Sequence, residues 1–124
     1  MASLRSDEVS ATLGAYSYLS GLTDYIQHVW VRKAVTVIAD NFAPLPVRVM
    51  RDEKVVDAHK LSALLVNVND QTSSVELWKQ WVVDMMLGGE EGWELLKDGS
   101  GNYVEIWARQ PHIISIVPDR QRVR

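Results

Sequence analysis

Residues 73 to 109 carry the tightest constraint in the chain: a helix with both ends marked, followed at once by a hairpin. Ser73 and Glu76 have the capping-box spacing, in which the serine side chain satisfies a first-turn amide and the glutamate reaches back to the cap. Trp78, Trp81, Val82, Met85 and Met86 then recur at helical spacing and predict a helix over Ser74 to Leu87, with Trp81 buried on its apolar face. Gly88-Gly89 ends it, because glycine takes the left-handed cap conformation at little cost. Gly92 to Lys97 reads as a strand, Asp98-Gly99-Ser100-Gly101-Asn102 as a turn, and Tyr103 to Arg109 as the returning strand. Ile113 to Val117, between Pro111 and Pro118, reads as a third strand and completes a C-terminal β-meander. The pattern predicts an α+β fold, with helices packed on an antiparallel sheet.

The upstream half is less sharply marked. Residues 1–22 read as a polar N-terminal tail followed by an irregular segment rich in glycine, serine and tyrosine. From Thr23, a good N-cap, to Ala43 the residues Ile26, Trp30, Ala34, Val37, Ile38 and Phe42 recur at three- and four-residue steps, the apolar face of a helix. Pro44 and Pro46 stop it. Pro46 to Arg51 alternates as a strand does, Asp52-Glu53-Lys54 reads as a turn, and Val55-Val56 continues a hairpin. Ala58 to Val66 reads as a short helix with Leu61, Leu64 and Leu65 inside. The domain is thus placed at 23–118, with a basic tail at 119–124.

At 124 residues the chain is one domain, and about two thirds of its unfolded surface can be buried. Cysteine is absent, which excludes disulfides, thiolate catalysis and cysteine zinc sites. The net charge of −3 argues against binding DNA through charge, although Arg120, Arg122 and Arg124 cluster at the end. No stretch is long and apolar enough for a membrane span, and the first residues do not form a signal peptide, which points to the cytoplasm.

A search for reactive chemistry yields little. Gly99 and Gly101 lie between strands and open no helix, so they form a hairpin turn rather than a phosphate loop. His28, His59 and His112 lack metal-ligand spacing, and no metal or cofactor is expected. Glu90-Glu91 reads as a solvated acidic corner. Trp78 and Trp81 read as core, and Trp93 and Trp107 as a pair across the hairpin. Trp30 suits core or interface equally, since tryptophan is enriched where proteins meet. The candidate interface residues are Trp30, Tyr16 and Tyr18, with Arg120, Arg122 and Arg124 as a basic contact.

The order of these segments resembles the N-terminal part of the portal proteins of tailed bacteriophages. The valine- and alanine-rich helix Val31 to Ala43 runs directly into Pro44-Leu45-Pro46-Val47-Arg48-Val49. His59-Lys60-Leu61-Ser62-Ala63-Leu64-Leu65 follows, then Asn69, Thr72 and the tryptophan helix ending in Leu87-Gly88-Gly89. The glycine turn, Val104-Glu105-Ile106-Trp107, Pro111 and the Ile113 to Val117 run complete a pattern covering about residues 25 to 118. The chain departs from the family at Lys60, Val68 and Gly89-Glu90-Glu91-Gly92-Trp93, all in connections.

The resemblance implies a structural protein rather than an enzyme: a dodecameric ring of sister subunits at one vertex of the capsid shell, through which DNA is packaged. The motor ATPase belongs to the terminase, so terminase and DNA would be met only through the full-length assembly. It implies no membrane, and a location in the virion or, during assembly or from a prophage, in the host cytoplasm. The matched part would lie in the outer wing. Portal proteins are longer, so the chain reads as a piece lacking stem, clip and crown. Two other readings stay open on the residues alone. One is a small adaptor or interaction module that accounts for its tryptophans within one chain. The other is a small acid/base enzyme using Glu90, Glu91 or His59, which would need a cleft where a shifted carboxylate faces a histidine.

Overall fold

The computed structural model describes residues 18–114. Four helices and two antiparallel hairpins follow one another: α1 over residues 18–27, α2 Val29–Phe42, β1 Met50–Arg51, β2 Lys54–Val55, α3 Lys60–Val66, α4 Ser74–Gly88, β3 Gly92–Lys97 and β4 Tyr103–Arg109. A 3-10 turn, Pro111–Ile113, comes after β4. The fold is α+β.

Helix α4 is the organising element, and its termini are the ones the sequence marks. The Ser73 hydroxyl accepts from the Glu76 amide, while the Ser73 amide donates to Glu76 Oε2 at 2.8 Å. These contacts with Ser73, the backbone one first, hold the Glu76 carboxyl below the usual carboxylate range. At the far end Gly89 sits at φ 76° and donates to the Met85 carbonyl. On one side α4 meets α2; on the other it packs against β4. Leu77 joins Leu64 of α3, Val68 and Ile106 of β4 in the buried core. The loop between α3 and α4 is tied to β4 by backbone polarity. The Ile106 amide donates to the Val68 carbonyl at 2.7 Å, and Asn69 Nδ2 donates to the Ile106 carbonyl at 2.7 Å. Asn69 Oδ1 accepts from the amides of Gln71 and Thr72, which fixes the turn into α4.

Several expectations change in detail. The segment from Thr23 to Ala43 is two helices, not one, separated by His28 in extended backbone. Thr23 is not a cap: it lies inside α1 and its hydroxyl donates back to the Leu19 carbonyl at 2.9 Å. Helix α1 also takes in residues 18–22, which read as irregular from their glycine and serine content. In α2 the buried positions are Val35 and Ala39, with the C-cap Ala43 in the same stripe, whereas Trp30, Val37 and Ile38 face outward.

The stripe that α2 buries is thus Val35, Ala39 and Ala43, at four-residue steps. Both sides of α2 are apolar, and the side with the smaller residues wins the contact with α4 because it lets the two helices approach closely. In α4 the inward residues are Leu77, Val82 and Asp84, Trp81 is half-buried, and Met85 and Met86 are exposed. Leu61 of α3 also points outward, and α3 starts at Lys60 rather than Ala58, capped by His59.

The β structure is likewise narrower than expected. The strand expected from Pro46 shrinks to Met50–Arg51, paired with Lys54–Val55 around Asp52 and Glu53, both at positive φ. The turn is where the sequence puts it; Val47 and Arg48 have no partner strand among the described residues. The hairpin β3–β4 forms with the expected bounds, and Asp98 Oδ1 closes its turn by accepting from the amides of Ser100 and Asn102. Trp93 and Trp107 do not pair: Trp93 is opposite Ala108 and Trp107 opposite Glu94, so their side chains leave opposite faces of the hairpin. Ile113 belongs to the 3-10 turn that Pro111 starts, not to a third strand, and residues 115–117 lie outside the described residues.

Helix α1 crosses the end of α4 at two glycines. A Cβ on Gly21 would stand 2.5 Å from the Leu87 carbonyl oxygen, and one on Gly88 would stand 2.8 Å from the Tyr18 ring. Gly21→Ala is therefore expected to destabilise the chain by about 1–3 kcal/mol, as overpacking does. Gly99→Ala, where nothing lies within 4 Å, should change stability little. Urea unfolding of both variants checks this.

Candidate functional site

Two features stand out once the fold is in place: an apolar surface on α2 and a buried polar junction under α1. The surface follows from the arrangement of α2. Because Val35, Ala39 and Ala43 form the buried stripe, no described residue covers the second apolar side of the helix. On the side of α2 opposite Ala39, Trp30 is 80% exposed and Val37 53%. Among the described residues nine hydrophobic side chains are buried and twenty-three large ones are exposed. That balance is unusual for a domain able to bury its own core, and it marks a surface suited to contact with another protein.

Trp78, Trp81 and Trp93 are used internally. Phe42 of α2 stacks on Trp81 at 5.6 Å between ring centroids and meets Trp78 edge-on at 6.3 Å. Trp78 in turn meets Trp81 at 5.8 Å and Trp93 at 5.2 Å, both edge-on. The four rings run from α2 across α4 to β3 and tie the three elements together. Lys79 of α4 and Asp40 of α2 add an ion pair at the half-exposed rim. The pair raises the Lys79 ammonium above its usual range, first through the hydrogen bond to Asp40.

The polar junction lies where α1, the end of α4 and the 3-10 turn converge. Asp84 is 1% exposed; Tyr18 donates to its Oδ1 at 2.8 Å and Gln80 to its Oδ2 at 2.8 Å. Tyr18 is 2% exposed and its ring stacks on His112 at 5.6 Å. Burial, and then the bond to Asp84, push the Tyr18 hydroxyl well above its usual range. Glu91 places both carboxyl oxygens out of solvent, and neither has a hydrogen-bond partner among the described residues. Burial, then Asp84, push its carboxyl up to about 8, with the Trp93 indole opposing. Glu91 is therefore not part of a solvated corner, as its position after two glycines suggests. The sequence signal was available in Asp84, an acid on the same helical stripe as the buried Leu77, which calls for a partner from elsewhere in the chain.

The remaining candidate residues divide clearly. Tyr18 lies in the interior, not on the surface. Tyr16, Arg120, Arg122 and Arg124 lie outside the described residues. His59 is used locally, its Nδ1 accepting from the Leu61 amide, and His28 is exposed beside Asp24. Two grooves of about 390 and 480 Å³ share Glu76, Gln80, Asp84 and Gln110; neither is lined by Glu91 or a histidine. Among the described residues no group of three or more histidine or acidic side chains is placed to hold a metal, and no helix is long and apolar enough to cross a membrane.

Trp78→Ala is expected to cost about 3 kcal/mol, because it opens the centre of the ring cluster. Trp30→Ala should leave the stability of the isolated chain nearly unchanged. Denaturant unfolding at low protein concentration separates the two.

In comparison with known proteins, a family model described as "Phage portal protein" matches residues 29–124. No curated protein and no solved structure matches the chain.

Proposed function

Because the chain belongs to the phage portal protein family, we propose that it serves as a wing part of the portal, the ring at one capsid vertex through which DNA is packaged and ejected. The family is a structural one, so the work of this part is to present surface to sister subunits and to the shell. The observation that carries this reading is the uncovered side of α2, with Trp30 80% exposed at its centre. A helix so exposed is stabilised when a neighbouring subunit removes that surface from water, at roughly 25 cal/mol per Å² of apolar area.

The acidic balance supports the same reading. A portal lets DNA pass, and each phosphate neutralised by a protein cation adds salt-dependent affinity that would hold the DNA in place. A net charge of −3 gives little such hold.

Sedimentation of the purified chain tests the proposal. Weak, concentration-dependent oligomers are expected, and Trp30→Ser should shift them to monomer without lowering the unfolding temperature measured at concentrations where the parent is already monomeric. Duplex DNA should add little mass at physiological salt. A strict monomer at all concentrations would remove the support for a subunit contact on α2. Tight DNA binding that falls steeply with salt would favour a DNA-binding module instead.

A further inference from the structure

From Leu45 to Lys60 every residue is exposed except Val49 and Val56, which are half-buried. The only strands in that stretch are β1 and β2, two residues each. A two-stranded hairpin with nothing packed on it is marginal in water. This one also turns through Asp52 at φ 50° and Glu53 at φ 64°, where such a turn prefers asparagine and glycine. Neither its length nor its turn accounts for its order, so a contact on its open face has something to stabilise.

That face can be identified. Met50 and Val55 are direct partners and share one side of the hairpin. Val49 and Val56, joined by a bond from the Val56 amide to the Val49 carbonyl at 2.9 Å, share the other. The half-buried valines mark the side turned to the rest of the chain, and Ser62 of α3 ties the base of the hairpin down by donating to the Val56 carbonyl at 3.3 Å. Met50 and Val55 are both exposed and point away from it.

The outer side of α2 has a matching relief. Trp30 and Val37 lie there, with the exposed Ala34 about one turn from each. The small side chain leaves a notch between the indole and Val37, which stand about 10 Å apart along the helix axis. A cross-strand pair is about 5 Å wide and fits between them. The charges are complementary. Lys33 adjoins the notch, Asp52 and Glu53 form the hairpin tip, and none of the three makes an ion pair among the described residues.

We infer that the Met50–Val55 face of one copy of the chain seats in the Ala34 notch of the next, with Lys33 meeting Asp52 and Glu53, an inference that rests on the proposed reading of α2 as a subunit contact. The contact is head-to-tail, because two different patches meet, and each copy offers a hairpin on one side and a notch on the other. A contact of α2 with a second α2 leaves the hairpin face uncovered and the tip acids without a partner.

Cross-linking of the full chain tests this pairing. Val37→Cys and Met50→Cys chains, one of them isotopically labelled, are mixed in equal amounts at a concentration where the parent oligomerises and treated with a short bismaleimide. Mass spectrometry of the dimers is expected to show more mixed pairs than same-variant pairs, where random pairing makes the shares equal. In sedimentation, Lys33→Glu and Glu53→Lys should each weaken association about two- to fivefold, the scale of an exposed ion pair, and the two together in one chain should regain most of the loss. Same-variant pairs in equal or greater share, from a parent that still oligomerises, would overturn the hairpin-to-notch contact and leave a subunit contact on α2 standing. A double variant weaker than either single one would overturn it as well. A parent that stays monomeric at all concentrations would overturn both the contact and the reading it rests on.

Discussion

Helix α4 has to bury two faces at once, and the rest of the described fold is arranged to let it. One face sends Leu77 into the core with Leu64, Val68 and Ile106. The other sends Trp78 and Trp81 against Phe42. Neither face can be covered by a two-stranded hairpin alone, which is why α2 is needed on the far side. The ring cluster from Phe42 through Trp78 to Trp93 makes the two coverings mutually dependent. Removing α2 would leave Trp81 in water, and removing β3 would expose the edge of Trp78.

That solution has a consequence for α2. It uses its small residues for contact, so its large ones, Trp30 and Val37 among them, are left outward. The surface is a product of packing geometry: Ala39 and Ala43 allow an approach that a tryptophan at the same positions would prevent. On the proposed reading this uncovered side meets a neighbouring subunit of the ring.

What could be read from the residues alone depended on how local the physics was. The capping box at Ser73 and Glu76, the stop at Gly89 and the turn at Asp98 to Asn102 involve partners within a few residues, and each was legible. The orientation of α2 was not, because residues on both of its sides are apolar and periodicity cannot say which side meets α4. The pairing of Trp93 with Ala108 rather than Trp107 rests on a one-residue choice of register that the turn sequence left open. The junction of Tyr18, Asp84 and Glu91 was hidden for a different reason: its members come from helix, helix and loop, with 66 positions between the hydrogen-bonded pair. Glu91 in particular looked like a surface acid, because nothing near it in sequence announces that its carboxyl oxygens are closed off from solvent.

The claim on which the account turns is that the outer side of α2 is covered by another copy of the chain. Since the sequence contains no cysteine, Val37→Cys supplies a single thiol on that side and Gly99→Cys a single thiol on the hairpin turn. The most direct measurement is the rate of thiol labelling of the two variants as protein concentration rises. Labelling at position 37 should slow with concentration while labelling at position 99 does not. Rates that stay constant at both positions would contradict the account.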